Sequence, residues 1–272
     1  MEIVQSTEEM IARSRAWKAK GLRIGLVPTM GYLHRGHRSL MALLRPQCDV
    51  LVVSLYVNPL QFGPKEDFSR YPRDPEGDTR ACEEEGVDLL FMPDQFYPPG
   101  FSTRVAVAGV TSRWEGALRP GHFEGVATVV ARFFGVTQAD VAVFGEKDYQ
   151  QLAVLRAMVR DLAMKVEIVP GPLIRDDDGL ALSSRNVYLT TEQRKRALTL
   201  HQALFAMQAA TQLSVAERLA LGRQMIDCDQ LDYLAVVDAD SLEPIEALHG
   251  PARVLVVGRY GATRLLDNVE LR

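Results

Sequence analysis

The sequence predicts an α/β fold: a doubly wound parallel sheet over residues 1–175, followed by a smaller α+β domain over residues 176–272. Three observations carry this. Short β-rich apolar runs alternate with segments of helical spacing up to Arg175, the pattern of strands joined by crossover helices. The strongest run, DVLVVSLYV at 49–57, is apolar on both faces, as in a strand covered on both sides. Beyond Arg175 the texture changes to two amphipathic segments and then short strands.

The elements follow in order. Thr7–Lys20 sets Met10, Ile11, Ser14 and Trp17 on one helical face, and Arg23–Pro28 is a strand. A helix starts near Gly36 and stops before Pro46, and Asp49–Val57 is the next strand. Pro75–Glu85 reads as a helix with proline in its first turn, Asp88–Met92 as a strand and Val105–Ala108 as another. His122–Val136 is an apolar helix, Asp140–Phe144 a strand, Tyr149–Leu162 a helix and Val166–Val169 a strand. In the second domain, Thr191–Leu213 and Ser214–Asp227 are expected helices, and Asp232–Val237 and Arg253–Gly258 expected strands. Gly261-Ala262 turns the chain back into Thr263–Leu266.

Composition narrows the classes. The chain has 272 residues, 47% hydrophobic and 24% charged, with a net charge of −4 and no long run of Lys or Arg. That argues against a nucleic-acid partner, while a pocket can still be locally positive for a small anion. Cys48, Cys82 and Cys228 are widely spaced, so no disulfide framework is expected and a reducing compartment fits. The N-terminal residues lack the regions of a signal peptide, and the longest apolar runs are strand length. The expectation is a cytoplasmic protein with no membrane partner.

Sheets of this kind bind ligands outside the carboxyl ends of their strands, where three segments fall. The first is PTMGYLHRGH at 28–37, leaving a strand and entering a helix. Its His34 and His37 are three apart, and Gly36 permits close backbone approach. A zinc site would need further ligands that are not nearby, and two surface histidines are the bland alternative. The strand, Pro28 and Gly31 favour phosphate binding at a positive helix end. The second is NPLQF, from Asn58 to Phe62, either a polar loop or a place where the Gln61 amide serves as a neutral, two-sided hydrogen-bonding group for a polar substrate. The third is GEKDYQQ at 145–151. There Lys147 could meet a phosphate, and Asp148 could accept from ribose hydroxyls or cap the helix. Gln151 would lie one turn after Lys147.

Farther along, Leu182-Ser183-Ser184-Arg185-Asn186 offers two hydroxyls and a permanent cation suited to phosphate oxygens. Asp176-Asp177-Asp178-Gly179 is a metal cluster or, preferably, a solvated turn with Gly179 at positive φ. His201 and His249 have no recognisable partners and read as structural or surface residues. His122 either braces a pocket wall or simply sits near a helix start.

Together these segments resemble the pantothenate synthetase (pantoate–β-alanine ligase) family. The resemblance rests on PTMGYLHRGH, SLYVNPLQFGP, RYPR, EGALRPGHFEGV, FGEKDYQQL and IRDDDGLALSSRNVYL, in this order. That family lies in the nucleotidyltransferase superfamily marked by HIGH and KMSKS, for which His34-Arg35-Gly36-His37 and Leu182-Ser183-Ser184-Arg185 stand here. The resemblance implies a Rossmann-like nucleotide-binding domain and a smaller C-terminal lid. It also implies a two-step reaction in which ATP and pantoate give pantoyl adenylate, which the amine of β-alanine then attacks.

By the same resemblance Met30, Gly31, Tyr32, Leu33, His34, Arg35, Gly36 and His37 line the ATP site with Gly145, Glu146, Lys147 and Asp148. Ile174 lies at the adenine side, and Leu182, Ser183, Ser184 and Arg185 close on the phosphates. Gln61 and Gln151 grip pantoate, Gln61 borders β-alanine, and Asn58 is grouped with them. His37 matches a proton-donor position. Its physical task would be hydrogen bonding to charge developing on phosphate, shared with His34, Lys147 and Arg185. Mg²⁺ is implied as the phosphates' companion without assigned protein ligands, and a homodimer is implied as the assembly. Asp78 could approach Mg²⁺ by family analogy, but its neighbours match poorly and it stays outside the site set. Leu182 stands where many relatives have Met, a volume-conserving exchange. Two rival functions differ in what they require. A simpler nucleotidylyltransferase would not need Gln61 and Gln151, and a nucleotide sensor or RNA-binding relative would not need the intact cations or would need a basic face.

Overall fold

The computed structural model describes residues 1–64 and 66–271, grouped as Met1–Glu146 with Gln151–Pro172 and as Lys147–Gln150 with Leu173–Arg272. In the first unit, β1 (Glu2–Val4) leads into α1 (Thr7–Ala19), where Ser6 caps the helix by accepting from Glu9 N. Then come β2 (Ile24–Thr29), α2 (Arg35–Leu44), β3 (Val50–Leu55), α3 (Pro75–Glu84) and β4 (Leu89–Phe91). A short α4 (Trp114–Leu118) precedes α5 (His122–Thr137), β5 (Val141–Gly145), α6 (Tyr149–Asp161) and β6 (Glu167–Gly171). The six strands form one parallel sheet in the order β1-β4-β3-β2-β5-β6, the doubly wound, Rossmann-like arrangement the sequence predicts.

Strand periodicity builds two cores. Ile24, Leu26, Val50, Val52, Leu89, Phe91, Ala142 and Phe144 cluster with Met10, Val130, Phe133, Leu152 and Leu155 from α1, α5 and α6. The intervening Val27, Leu51, Val53, Leu90, Val141 and Val143 cluster with Leu40, Met41 and Leu44 of α2 and Cys82 of α3. Successive side chains point to opposite faces, so doubly apolar strands demand helices on both sides.

Several details differ from expectation, the short α4 among them. β1 is an additional three-residue edge strand with Ile3 exposed, too short to show a period. The strand expected at Val105–Ala108 is not formed. Val105 and Val107 do pack on the core, so the alternation is real. However, Val105 N donates to the Thr128 hydroxyl at 2.9 Å, a side-chain partner in place of a neighbouring strand. Alternation reports burial on one side, and pairing needs a partner that sequence does not supply.

The register sets Thr29 beside Leu55, and Gly145 beside Gly171. β2 lies between β3 and β5, and the chain proceeds from these in opposite directions across the sheet. The carboxyl ends of β2 and β5 therefore flank a topological switch point, where such sheets open a ligand crevice.

The second unit contains a hairpin closed by the Arg175–Ala181 bridge, α7 (Thr191–Ala209), α8 (Val215–Met225) and an antiparallel sheet β7 (Gln230–Asp238), β8 (Ala252–Tyr260), β9 (Thr263–Leu271). Thr190 with Gln193, and Ser214 with Glu217, form capping boxes that start the two helices. Leu200, Leu204, Met207, Val254 and Val256 share its core. Cys48, Cys82 and Cys228 are free. Among the described residues no helix is long and apolar enough to cross a membrane.

Candidate active site

The loop leaving β2 is shaped by an aspartate from a distant helix. Gly31 and Tyr32 both have positive φ, 83° and 53°, which turns the chain sharply after Met30. The Asp78 carboxylate on α3 accepts from Tyr32 N at 2.9 Å and Leu33 N at 2.6 Å. A β-carbon at Gly31 would stand 2.9 Å from Asp78 Oδ2, so this turn leaves no room for one. Thr29 closes the near end, donating to Ser54 O and accepting from Gly31 N.

The turn delivers two histidines to the start of α2. His34 is the N-cap residue, and its Nδ1 accepts from Gly36 N at 3.1 Å. His37 Nδ1 accepts from His34 N at 3.3 Å, and the two rings lie 4.1 Å apart. Both Nδ1 atoms are acceptors, so each ring is the neutral tautomer with its hydrogen on Nε2. Two Nε2–H donors at a helix start suit an anion.

The loop leaving β3 is fixed with equal care. Asn58 is buried and donates through Nδ2 to Gln61 Oε1 and Gly125 O, both at 3.0 Å. Its Oδ1 accepts from Leu60 N at 3.2 Å and Tyr97 OH at 2.9 Å. All four hydrogen-bonding positions of this amide are thereby used. Gln61 donates through Nε2 to Met30 Sδ at 3.1 Å, so the β2 and β3 loops meet there. Gly125 lets α5 touch the loop, because a β-carbon there would lie 2.2 Å from Leu60 O.

His122 braces this loop. Arg119 grips Glu66 with two bonds, Nε to Oε1 at 2.6 Å and Nη2 to Oε2 at 2.8 Å. Its Nη1 lies 3.0 Å from His122 Nε2, and His122 Nδ1 lies 2.8 Å from Gln61 O. A guanidinium can only donate, so Nε2 accepts and Nδ1–H donates to the Gln61 carbonyl. Burial raises the Glu66 carboxyl, but Arg119 outweighs it and holds the pKa at about 2. Burial, aided by the charge of Arg119, pushes His122 down to about 4 against the Gln61 carbonyl, Glu115 and Glu66.

A pH dependence follows. The unfolded imidazole titrates near 6.5 and the folded one near 4, so on acidification the unfolded state takes up the proton first. The contribution is fully present above 6.5 and is lost as pH falls toward 4. Between pH 7 and 4.5 the wild-type protein should lose about 2 kcal/mol more stability than His122→Gln. Denaturant titrations at both pH values check this, and equal losses would refute it.

The remaining expected residues divide between the units. In the first, Gly145 ends β5, Glu146 opens the next turn, and Gln151 sits half-buried in the first turn of α6. In the second, Lys147 Nζ lies 3.6 Å from Asp148 Oδ2. Leu182 N donates to Ile174 O at 3.0 Å, bringing Ile174 beside the Ser-Ser-Arg segment. Ser183 Oγ accepts from Arg185 N and starts the single-turn helix Ser184–Tyr188, with Ser184 buried. The triple aspartate is a turn: Gly179 has φ 95°, and Asp176 and Asp178 pair with Arg194 at 2.7 and 2.8 Å. Gly179 also abuts the His201 ring, giving that histidine a packing role.

The expected site residues therefore gather as Met30 with Asn58 and Gln61, His34 with His37, Lys147 with Asp148, and Ile174 with Leu182. Sequence reasoning gave Glu66, Arg119 and Tyr97 no role, although Arg119 lies within the quoted EGALRPGHFEGV, and it left Asp78 out. Arg119 lies three residues ahead of His122, the first residue of α5, which was their only local signal.

A Rossmann-like sheet bearing a twin-histidine helix start and a fixed glutamine amide defines an α/β nucleotide-handling enzyme. Comparison with known proteins narrows this class to one family. The family model described as pantoate-beta-alanine ligase matches residues 2–270, and the chain belongs to that family. It is 54% identical to the pantothenate synthetase of Thermus thermophilus over 256 residues, covering 91% of this chain and 93% of that one. It is 47% identical to the pantothenate synthetase of Moorella thermoacetica, covering 100% and 99%. Among solved structures, the Thermus thermophilus pantothenate synthetase superposes with a TM-score of 0.93 at 50% identity, with 99% of each chain covered. The Francisella tularensis pantoate-beta-alanine ligase, complexed with beta-gamma ATP and β-alanine, gives 0.83 at 30% identity, covering 99% and 97%.

Proposed function

We propose that this chain joins (R)-pantoate to β-alanine at the expense of ATP, through pantoyl adenylate, releasing AMP and pyrophosphate. One observation within the first unit carries the reading. Two imidazole Nε2–H donors stand at a helix start, on the loop whose Met30 touches the fixed amide of Gln61. The first feature suits phosphate and the second a small hydroxy acid.

In the first step a pantoate carboxylate oxygen attacks the α-phosphorus, and pyrophosphate leaves with the electrons of the broken P–O bond. His34, His37, Lys147, Arg185 and the hydroxyls of Ser183 and Ser184 donate to phosphate oxygens as charge grows on the leaving group. With Nδ1 already an acceptor, His37 acts by donating a hydrogen bond through Nε2. Backbone from Met30 to His37, and Gly145 to Asp148, would cradle the nucleotide, with Ile174 and Leu182 against adenine and phosphates. Gln61 and Gln151 offer amides to pantoate, and Asn58 serves by orienting Gln61. In the second step the amine of β-alanine attacks the mixed-anhydride carbonyl, loses a proton, and AMP departs. Oxide is too poor a leaving group for direct amide formation, which is what adenylation overcomes.

Mg²⁺ would enter with the triphosphate. Among the described residues no group of three or more His, Cys, Asp or Glu could hold a metal ion, and Mg²⁺ binds largely through phosphates and water. Asp78 already spends its carboxylate on two backbone N–H groups. The enzyme would work as a cytoplasmic homodimer, which sedimentation velocity tests as to assembly.

Pyrophosphate release should require both ATP and pantoate, and pantothenate should form on adding β-alanine. Absence of pantoate-dependent release would sink the proposal. Gln61→Ala should raise the pantoate Kd by about tenfold, the value of one well-made hydrogen-bonding group. An unaltered Kd in calorimetry would count against this role.

A further inference from the structure

The turn carrying Lys147 is held from behind by the antiparallel sheet of the second unit. Asn268 Nδ2 on β9 donates to the Lys147 carbonyl at 2.9 Å. Asn268 is 4% exposed, and its Oδ1 accepts from Arg253 Nη1 on β8 at 2.7 Å. Arg253 is 8% exposed and stands 3.9 Å over the ring of Tyr149, whose hydroxyl donates to Ala239 O at 2.9 Å. Lys147–Gln150 accordingly groups with the second unit, although the residues before and after it group with the first.

Polar side chains this deeply buried are costly to keep unless they are paired, and apolar residues would fill a sheet core more cheaply. What this asparagine and arginine achieve is a fixed backbone under one lysine. We propose that Asn268 and Arg253 are positioning residues for Lys147, setting where its ammonium meets the triphosphate. The inference rests on the phosphate role proposed for Lys147 and extends it to two residues outside every motif of the sequence.

A double-mutant cycle tests it. Asn268→Asp keeps the size and the acceptor for Arg253 but turns an oxygen, in place of an N–H donor, toward the Lys147 carbonyl. Single-turnover adenylation should slow by about tenfold in this variant, and by less than about twofold when Lys147 is already alanine. Equal slowing in both backgrounds would mean a purely structural role and overturn the inference, as would an unchanged rate with Lys147 present. If Lys147→Ala alone keeps the full rate, the reading of Lys147 fails and takes this inference with it. Arg253→Lys, which keeps the charge and loses the planar fork, carries the same cycle if Asn268→Asp does not fold.

Discussion

His37→Ala should slow single-turnover pyrophosphate release by roughly a hundredfold or more, the usual loss when a donor to transition-state charge is removed. His37 Nδ1 is occupied by His34 N, which fixes the ring and leaves the hydrogen on Nε2. Truncation therefore removes two things at once: the Nε2–H donor, and a capping acceptor worth about 1 kcal/mol of stability. Two further variants separate them. His37→Asn keeps an acceptor near the Nδ1 position and should restore stability with little gain in rate. His37→Gln reaches toward the Nε2 position and should recover part of the rate. Unchanged adenylation in His37→Ala, measured by rapid quench, would refute the role, and so would full recovery of rate by His37→Asn.

Asp78→Asn should cost about 2–4 kcal/mol of stability and lower the adenylation rate by roughly a hundredfold, although the side chain is assigned no contact with substrate. Asp78 is 4% exposed and its two oxygens accept from the backbone of Tyr32 and Leu33. Burial pushes its carboxyl upward, while those two N–H groups pull the other way. An amide can turn only one oxygen toward them, so one buried N–H faces another donor. Tyr32, held at φ 53°, then has less to keep it in a left-handed conformation that a side chain disfavours. The loop would relax, and His34 and His37 would lose their place at the start of α2. Denaturant melts and single-turnover adenylation read the two effects. A variant with wild-type midpoint and rate would show that the turn holds without its carboxylate.

Much of the fold was legible because it depends on local pattern. DVLVVSLYV could only be a strand covered on both faces, and the start of α3 at Pro75 follows from the fixed φ of proline. The histidine pair was legible as a helix start, and the aspartate run as a turn with Gly179 at positive φ. What failed at Val105–Ala108 was the step from one-sided burial to a hydrogen-bonded ladder. β1 carried too few residues for any period to appear.

The supporting residues were illegible for a different reason. Asp78 lies 46 residues from Tyr32, Arg119 lies 53 from Glu66, and Asn268 lies 121 from Lys147. No spacing rule connects such pairs, because folding, not chain geometry, brings them within 3 Å. The amino-acid sequence by itself determined the sheet, its helices and the residue types offered at the strand ends, since these follow from periodicity, proline, glycine and side-chain chemistry. Only the tertiary structure decided which nitrogen of His34 and His37 carries the hydrogen, which partners the Gln61 amide takes, and what grips Lys147. Those are set by hydrogen-bond partners across long sequence separations, and a buried donor or acceptor takes whichever partner packing brings to it.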